Sequence, residues 1–505
     1  MTENHYSKLP NERKSFWREM DEQLHFQQLN EDTEVDVAIA GGGMAGIVSA
    51  YMLAKDGKKI ALLEAREMLS GTTGYTTAKL SAQHNLIYDE LINRYGQEVA
   101  KLFYQANMQG LAMIKEIAQE EQIDCGLTEQ DAFVYTQQQN LVSKFEKEAE
   151  AYKKLGIPGK LIRKLPVNLE IAAAVKMEKQ AQFHPAAFLN GLLRVLEKWD
   201  VKIFEHTMVT EALQDNKITL QTNLGKTVMC KDVIFATHFP AIDPDNFYTN
   251  MRPEMSYALA FKADQEYPDG MYINADTPSR TFRKMTNGSD DYLLVGGQSH
   301  TIGDEHSEME RYEDIRQFAE KTFGTSDAIF RWSSHDLITS DRVPYIGQLH
   351  PQKSNMYTAT GFSKWGLANA VTGAQLLKDL IANQENPYSG LYYPRRDIPD
   401  IRENVPEQKN MEEELAEAQT AATVENLTRQ QATVIEKDDK KIGIYKDDDG
   451  ALHHLDLACT HLGCDLNWND GDQTWDCPCH GSRFTATGEV LEGPAKEPLA
   501  KANQK

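Results

Sequence analysis

The first strong pattern along the chain is the apolar, β-branched run "VDVAIA", residues 35–40, followed at once by Gly41, Gly42, Gly43 and Gly46. The next stretch, "MAGIVSAYMLAKD", places apolar residues at helical spacing and ends at Gly57, and "KKIALLEA" is a second apolar run ending at Ala65, just past Glu64. This order predicts strand, tight turn, helix and strand in about thirty residues, the size of one βαβ half of a dinucleotide fold. Further strands are predicted at "MSYALAFKA" (255–263), "GMYINAD" (270–276), "RTFRKM" (280–285) and "DYLLVGGQSH" (291–300), and long helices around 88–122 and 308–323. In "MYTATGFSKWGLANAVTGAQLLKDLI", residues 356–381, an alternating strand meets Gly361 and then a helix that begins with small residues. From about 385 to 424 the chain becomes proline-marked and then highly charged, which predicts a linker (386–424) carrying one helix around 407–422. Beyond it, "QATVIEKD", "KIGIYKD" and "LHHLDLA" are short strand patterns separated by turns such as Asp449-Gly450, so residues 425–505 form a small all-β module.

Length and charge narrow the classes of function. A chain of 505 residues with 41% hydrophobic content can bury a large core and hold more than one domain. Its net charge of −23, with basic residues scattered, excludes the electrostatic footprint of a nucleic-acid or anionic-membrane binder. The opening "MTENHYSKLPNERKSFWREMDEQ" has no apolar run, and a cytoplasmic protein is expected. The stretch 35–54 is about membrane-spanning length, but its four glycines and Asp36 belong to the nucleotide motif.

Gly41, Gly43 and Gly46 form G-x-G-x-x-G: a sharp turn, a close backbone approach to a pyrophosphate, and close packing of helix on strand. The phosphates then lie on the helix N-terminus, and Glu64 is placed to accept hydrogen bonds from an adenosine ribose. A single such motif close to the start favours a permanently held FAD over an exchangeable nicotinamide. "GTTGYTTAKLSAQH", residues 71–84, offers Thr72, Thr73, Thr77 and Lys79 to phosphate and ribityl oxygens, with His84 close by. The helix starting at Gly366 would aim its positive end at the flavin pyrimidine edge.

Over residues 35–385 these features resemble the FAD-dependent oxidoreductase family of D-amino-acid, glycine and sarcosine oxidases. "SDRVPYIG" (340–347) is similar to that family's turn before its last strand. "DVIFATH" (232–238) is similar to its strand near the cofactor, with His238 where a glycine is expected, and Val209 resembles its adenine-side valine. The resemblance implies an α/β, Rossmann-like FAD-binding domain, assembled from about 35–85, 150–245 and 335–385. An interleaved antiparallel-sheet substrate domain would come from about 86–149 and 246–334, leaving residues 1–34 as an N-terminal extension. It also implies transfer of hydride to flavin from a carbon bearing an amine or hydroxyl, with a tyrosine and a cation on the sheet binding substrate carboxylate. Tyr257, Arg283 and His300 are the catalytic candidates.

The module ends in "CTHLGCDLNWNDGDQTWDCPCHGS", residues 459–482, which holds four of the six cysteines. Cys459 and His461 form C-x-H, and Cys477 and His480 form C-x-x-H. Two cysteines and two histidines could build a tetrahedral zinc site, but structural zinc sites pair like with like. Mixed pairs suit a cluster with two thiolates on one iron and two imidazoles on the other. "CTHLGC … CPCHGS" resembles the Rieske [2Fe–2S] signature, and this implies Cys459, His461, Cys477 and His480 as ligands. As in the Rieske proteins of cytochrome bc complexes, Cys464 and Cys479 would form a disulfide between the two ligand loops. The likeness further implies that Ser482 donates a hydrogen bond to a bridging sulfide and that Gly493-Pro494 belong to a loop covering the cluster. Phe484 replaces a tyrosine of high-potential members, and the imidazoles would lie at an exposed tip where an electron-transfer partner can dock. Cys125 and Cys230 remain as core thiols.

The two resemblances together imply a fusion that oxidises a small amine or amino acid and passes electrons from FAD through the cluster to an external acceptor, a protein or a quinone. Reversed flow, or a redox sensor without turnover, are the other readings.

Overall fold

The computed structural model describes residues 6–243, 247–263, 265–303, 306–325, 327–397, 427–437 and 440–502. The linker helix expected around 407–422 lies outside the described residues. A six-stranded sheet runs in the order Tyr345–His350, Lys353–Thr360, Asp232–Phe235, Val37–Ala40, Ile60–Leu63, Lys202–Phe204. Its pairings are parallel except the first. Val37–Ala40 and Ile60–Leu63 are buried on both faces, which is why they read as unbroken apolar runs rather than alternating ones. Val37, Ile39, Ile60 and Leu62 pack in the core that includes the helices Met44–Lys55 and Gly366–Ile381. Ala38, Ala40, Ala61 and Leu63 pack under a four-stranded sheet that includes Val209–Gln214.

A second, mostly antiparallel sheet has nine strands and forms the interleaved domain expected from the sequence. Its strands include Met251–Lys262, Met271–Asn274, Arg280–Asn287 and Asp290–Thr301, each overlapping an expected run. The two long helices are Tyr88–Glu120, broken at Gly96, and Glu308–Phe323. The span 150–245 divides between the sheets: Ala173–Gln182 pairs with Thr128–Thr136 in the nine-stranded sheet, whereas Lys202–Phe204 joins the six-stranded one.

The N-terminal segment is not an appendage. Ser15 caps a short helix whose Phe16 and Trp17 are fully buried in the main core, and Thr33–Glu34 pairs with Thr227–Cys230. Burying two large aromatics removes enough apolar surface to fix a segment that carries little regular structure of its own.

The C-terminal module is all-β, with one sheet of three strands (Gln431–Lys437, Lys440–Lys446, Leu452–Asp456) and one of four (Asn467–Asn469, Thr474–Asp476, Arg483–Thr485, Val490–Glu492). Leu455, Leu457, Trp475 and Phe484 fill its core. The module is docked on the flavin domain along the strand Phe330–Thr339, where the two-residue period of a strand gives each face its own neighbour. Arg331, Ser333 and His335 hydrogen-bond the module, to the Gly471 carbonyl, Asp472 and Glu492 respectively. Trp332, Ser334 and Asp336 line the cavity described below.

Asp472 is the centre of this junction. It is buried against Arg483 at 2.6 Å, Arg13 of the N-terminal segment at 3.4 Å, and Ser333. Although burial opposes its charge, Arg13 and Arg483 hold its carboxyl below the ordinary carboxylate range. Asp470 also caps the helix Glu308–Phe323 from the module side, accepting from the Ser307 hydroxyl at 2.6 Å and the Glu308 and Met309 amides at 2.9 and 3.2 Å.

Candidate functional site

A single cavity of about 870 Å³ begins at the glycine turn. Gly41 has φ +114°, and a Cβ there would lie 2.4 Å from the Ala236 carbonyl oxygen. A Cβ on Gly46 would lie 1.8 Å from the Gly41 carbonyl oxygen, so the helix can sit this close to the turn only with glycine. Gly41 and Gly43 line the cavity, whereas Gly46 works from behind the wall as the packing glycine. The helix Met44–Lys55 has glycine at its N-cap and no acid in its first turn, and its positive end faces the cavity with only the Thr73 hydroxyl and the Glu64 carboxylate accepting from amides at the turn.

Glu64 lines the same space, its carboxylate accepting from the Gly42 amide at 2.7 Å and the Arg66 amide at 3.0 Å. Thr72, Thr73, Thr77, Lys79, Val209 and Gly366 also line it. The Thr73 hydroxyl accepts from the Met44 amide at 3.1 Å, and the Thr72 hydroxyl donates to the His335 carbonyl at 2.7 Å. Lys79 is buried against Thr281 and near the Trp365 ring, and burial, with Arg283 nearby, pushes its ammonium down to about 7. Gly361, with φ +68°, does not line the cavity; it makes the turn that leads into Phe362, Lys364 and Trp365, which do.

The three catalytic candidates fare differently. Tyr257 borders the cavity, but it pairs with Ser333 and its ring stacks on His300 on the module face of the sheet, with its hydroxyl 3.0 Å from His300 Nε2. His300 is set behind it and does not reach the wall. Arg283 is also absent from the wall: its guanidinium donates to the Thr77 carbonyl at 2.8 Å and Gln182 at 2.9 Å, bracing the threonine loop. Side chains alternate along a strand: Thr281 and Arg283 share the face toward Lys79 and the threonine loop, and of the two only Thr281 reaches the wall, whereas Arg280 borders the cavity but turns its guanidinium to Asp314 on the other face.

Several charged residues that border the cavity escaped the sequence reading, Arg280, Lys364 and Asp336 among them. Arg280 pairs with Asp314, and Lys364 bridges Glu254 at 2.8 Å and the Ser299 hydroxyl at 2.5 Å. Asp336 is 8% exposed, and burial pushes its carboxyl up to about 6. The alternation in "RWSSHDLIT" signals a strand, but nothing local says which face meets a cavity.

His461 lines the same cavity. Its ring is 5.0 Å from that of His480, nearly perpendicular to it, while the Cys459 and Cys477 thiols contact each other. Cys464 and Cys479 are joined as a disulfide between the two loops. Within the loops, the Cys459 amide donates to the Cys464 carbonyl at 2.8 Å and the Gly481 amide to the Cys477 carbonyl at 3.0 Å. Paired thiols beside paired imidazoles are the donor set of a [2Fe–2S] centre with unlike irons. Ser482 is fully buried and accepts from the Ala495 amide at 3.0 Å. The histidine tip, expected to be exposed, instead faces the flavin domain: Phe239 packs on His461 and His480 at 5.9 and 6.5 Å. Among the described residues no helix is long and apolar enough to cross a membrane.

Comparison with known proteins agrees with this geometry. Residues 36–380 match the FAD dependent oxidoreductase family, and residues 417–503 match the Rieske [2Fe-2S] domain. YhfW of Bacillus subtilis, a protein named for a Rieske 2Fe-2S centre, is 39% identical over 505 residues, covering 99% of both chains. Gamma-glutamylputrescine oxidoreductase of Escherichia coli is 22% identical over 70% of this chain and 85% of its own. The crystal structure of glycine oxidase from Geobacillus kaustophilus superposes with a TM-score of 0.62 at 18% identity, covering 73% of this chain and all of that one. The matched families set the cofactors as FAD and a Rieske [2Fe–2S] cluster. This chain therefore belongs to the FAD dependent oxidoreductase family and carries a Rieske domain at its C-terminal end.

Proposed function

We propose that the protein oxidises a small amine or amino acid and sends the electrons through the Rieske centre to an external acceptor, a protein or a quinone. The observation that carries this reading is continuity: the nucleotide glycines and the cluster ligand His461 line one cavity. FAD supplies acceptance of an electron pair from a C–H bond, and the cluster supplies carriage of single electrons.

The chain's own residues divide the remaining work. Gly41, Gly43 and the open helix start would take the pyrophosphate, Glu64 the ribose, and Val209 the adenine side. Thr72, Thr73 and Thr77 present hydroxyls along the middle of the cavity, and Gly366 opens the helix at its far side. Cys459, His461, Cys477 and His480 would hold the irons, and the Cys464–Cys479 disulfide ties their loops. Tyr257, stacked on His300 on the face of the sheet opposite the cavity, supports the wall behind the substrate. Arg283 keeps the threonine loop in place and does not touch substrate. Asp336, close to neutral pH in its titration, can hold the proton of an ammonium group beside Lys364. Two proteins of similar fold or sequence are named for amine substrates, a glycine oxidase and a gamma-glutamylputrescine oxidoreductase, which supports the substrate class.

The test is anaerobic addition of a panel of small amines and amino acids, with optical and paramagnetic detection together. Flavin bleaching followed by the rhombic signal of a reduced Rieske centre is expected. Bleaching that never produces that signal would sink the internal relay, and a flavin that no compound bleaches would sink the substrate class.

A further inference from the structure

The cavity that takes the dinucleotide is not closed by the flavin domain alone. Glu489, Glu492, Gly493, Pro494 and Lys496, all from the C-terminal module, form part of its wall. They share that cavity with Glu64, Thr207, Val209 and Asn223, the residues around the adenosine side. The Lys496 ammonium donates to the Thr210 carbonyl at 2.8 Å, one residue beyond Val209. The same short segment is tied to the cluster loops on its other side, where the Ala495 amide donates to Ser482. The segment therefore touches both the dinucleotide cavity and the cluster loops.

We propose that the Rieske module completes the FAD site: segment 489–498 closes the adenosine side of the cavity, Lys496 contributes a cation to it, and bound FAD exchanges only when the module separates. Lys496 and Arg66 bring cations to a wall that also carries Glu64, Glu489 and Glu492, and of the cations only Lys496 comes from the module. The mechanics follow from the junction. The module is held by buried, charge-assisted contacts at Asp472 and by the helix cap at Asp470, and removal of either partner leaves buried charge or helix amides unsatisfied. The inference concerns retention of FAD and holds whichever substrate is oxidised.

The experiment uses the full chain loaded with FAD and cluster, and follows release of FAD by the rise of free flavin fluorescence after dilution. Asp470→Ala combined with Ser333→Ala weakens the junction at residues that line neither the cavity nor the cluster. This variant is expected to release FAD at least tenfold faster than the unaltered protein. Lys496→Ala, at a half-exposed position that does not threaten the fold, is expected to release it about threefold faster, with Lys496→Arg restoring the original rate. The cluster's visible circular dichroism reports in each case that the module itself is intact. Release at the unaltered rate from both the double variant and Lys496→Ala overturns the proposal.

Discussion

The cluster site and the flavin cavity are two redox sites built in opposite ways. The six cysteines and histidines of the cluster site lie within residues 459–480, on two loops tied by one disulfide. The cavity collects its wall from segments as distant as Gly41, Val209, Tyr257, Asp336, Trp365 and Lys496. A site on two short loops needs few long-range closures, so its chemistry survives in local spacing. A site assembled from both sheets and a second module depends on how those bodies meet.

The sharpest way to break this comparison is to destroy one site and ask whether the other stands. Cys477→Ala is expected to abolish the Rieske paramagnetic signal entirely while the protein still binds FAD, read from the visible spectrum. Loss of FAD as well would show that the flavin site requires the loaded cluster, not merely the docked module. Conversely, Gly46→Ala drives a methyl group into the Gly41 carbonyl and should cost about 3 kcal/mol through overpacking, with loss of bound FAD. Retention of the cluster signal in that variant, followed through denaturant unfolding, would confirm that the module folds on its own core.

Replacing both Cys464 and Cys479 by serine should lower the module's stability by about 3 kcal/mol, the scale for a loop of about fifteen residues, with little effect on the flavin domain. Two separated unfolding transitions, of which only the module's moves, are the expected result. The junction should weaken in acid. Asp472 and Glu492 are held below the ordinary carboxylate range, Asp472 by Arg13 and Arg483, and Glu492 by its bond to His335 and by Arg483. Their stabilising contribution is therefore complete above the unfolded carboxylate value of about 4 and is lost as pH falls through the lower folded values. Faster FAD release below about pH 4, with a flat rate from pH 5 to 7, would match this sign.

The smallest expected change is Phe484→Tyr. Phe484 is fully buried in the module core, and a hydroxyl there adds a donor to the cluster surroundings. An upward shift of the cluster midpoint potential in a redox titration is expected, with the flavin potential unchanged.

Legibility in the sequence followed the same division. The nucleotide turn, its helix and Glu64 were readable because strand, glycines and acid stand in register within thirty residues. Four strands of the nine-stranded sheet stand out as apolar runs, but no local pattern tells which of their residues border the cavity: Arg283 shares the face of Thr281 yet ends on the threonine loop, and His300 stacks on Tyr257 away from the wall. Arg280, Lys364 and Asp336 carry no local mark at all. Residues 6–34 look like a polar leader with a few aromatics, and only the buried places of Phe16 and Trp17 and the Arg13–Asp472 pair show that they join body and module.

What the sequence by itself determined is the chemistry that local spacing enforces: a glycine turn open to a dinucleotide, and two Cys–His pairs whose order suits unlike irons. What only the tertiary structure decided is their relation. The strand Phe330–Thr339 turns one row of side chains to the cavity and the other to the module, and segment 489–498 touches both the cavity and the cluster loops. That arrangement arises from contacts between residues hundreds of positions apart, such as Arg13 with Asp472 and Lys496 with Thr210, whose pairing free energy no local window of sequence contains.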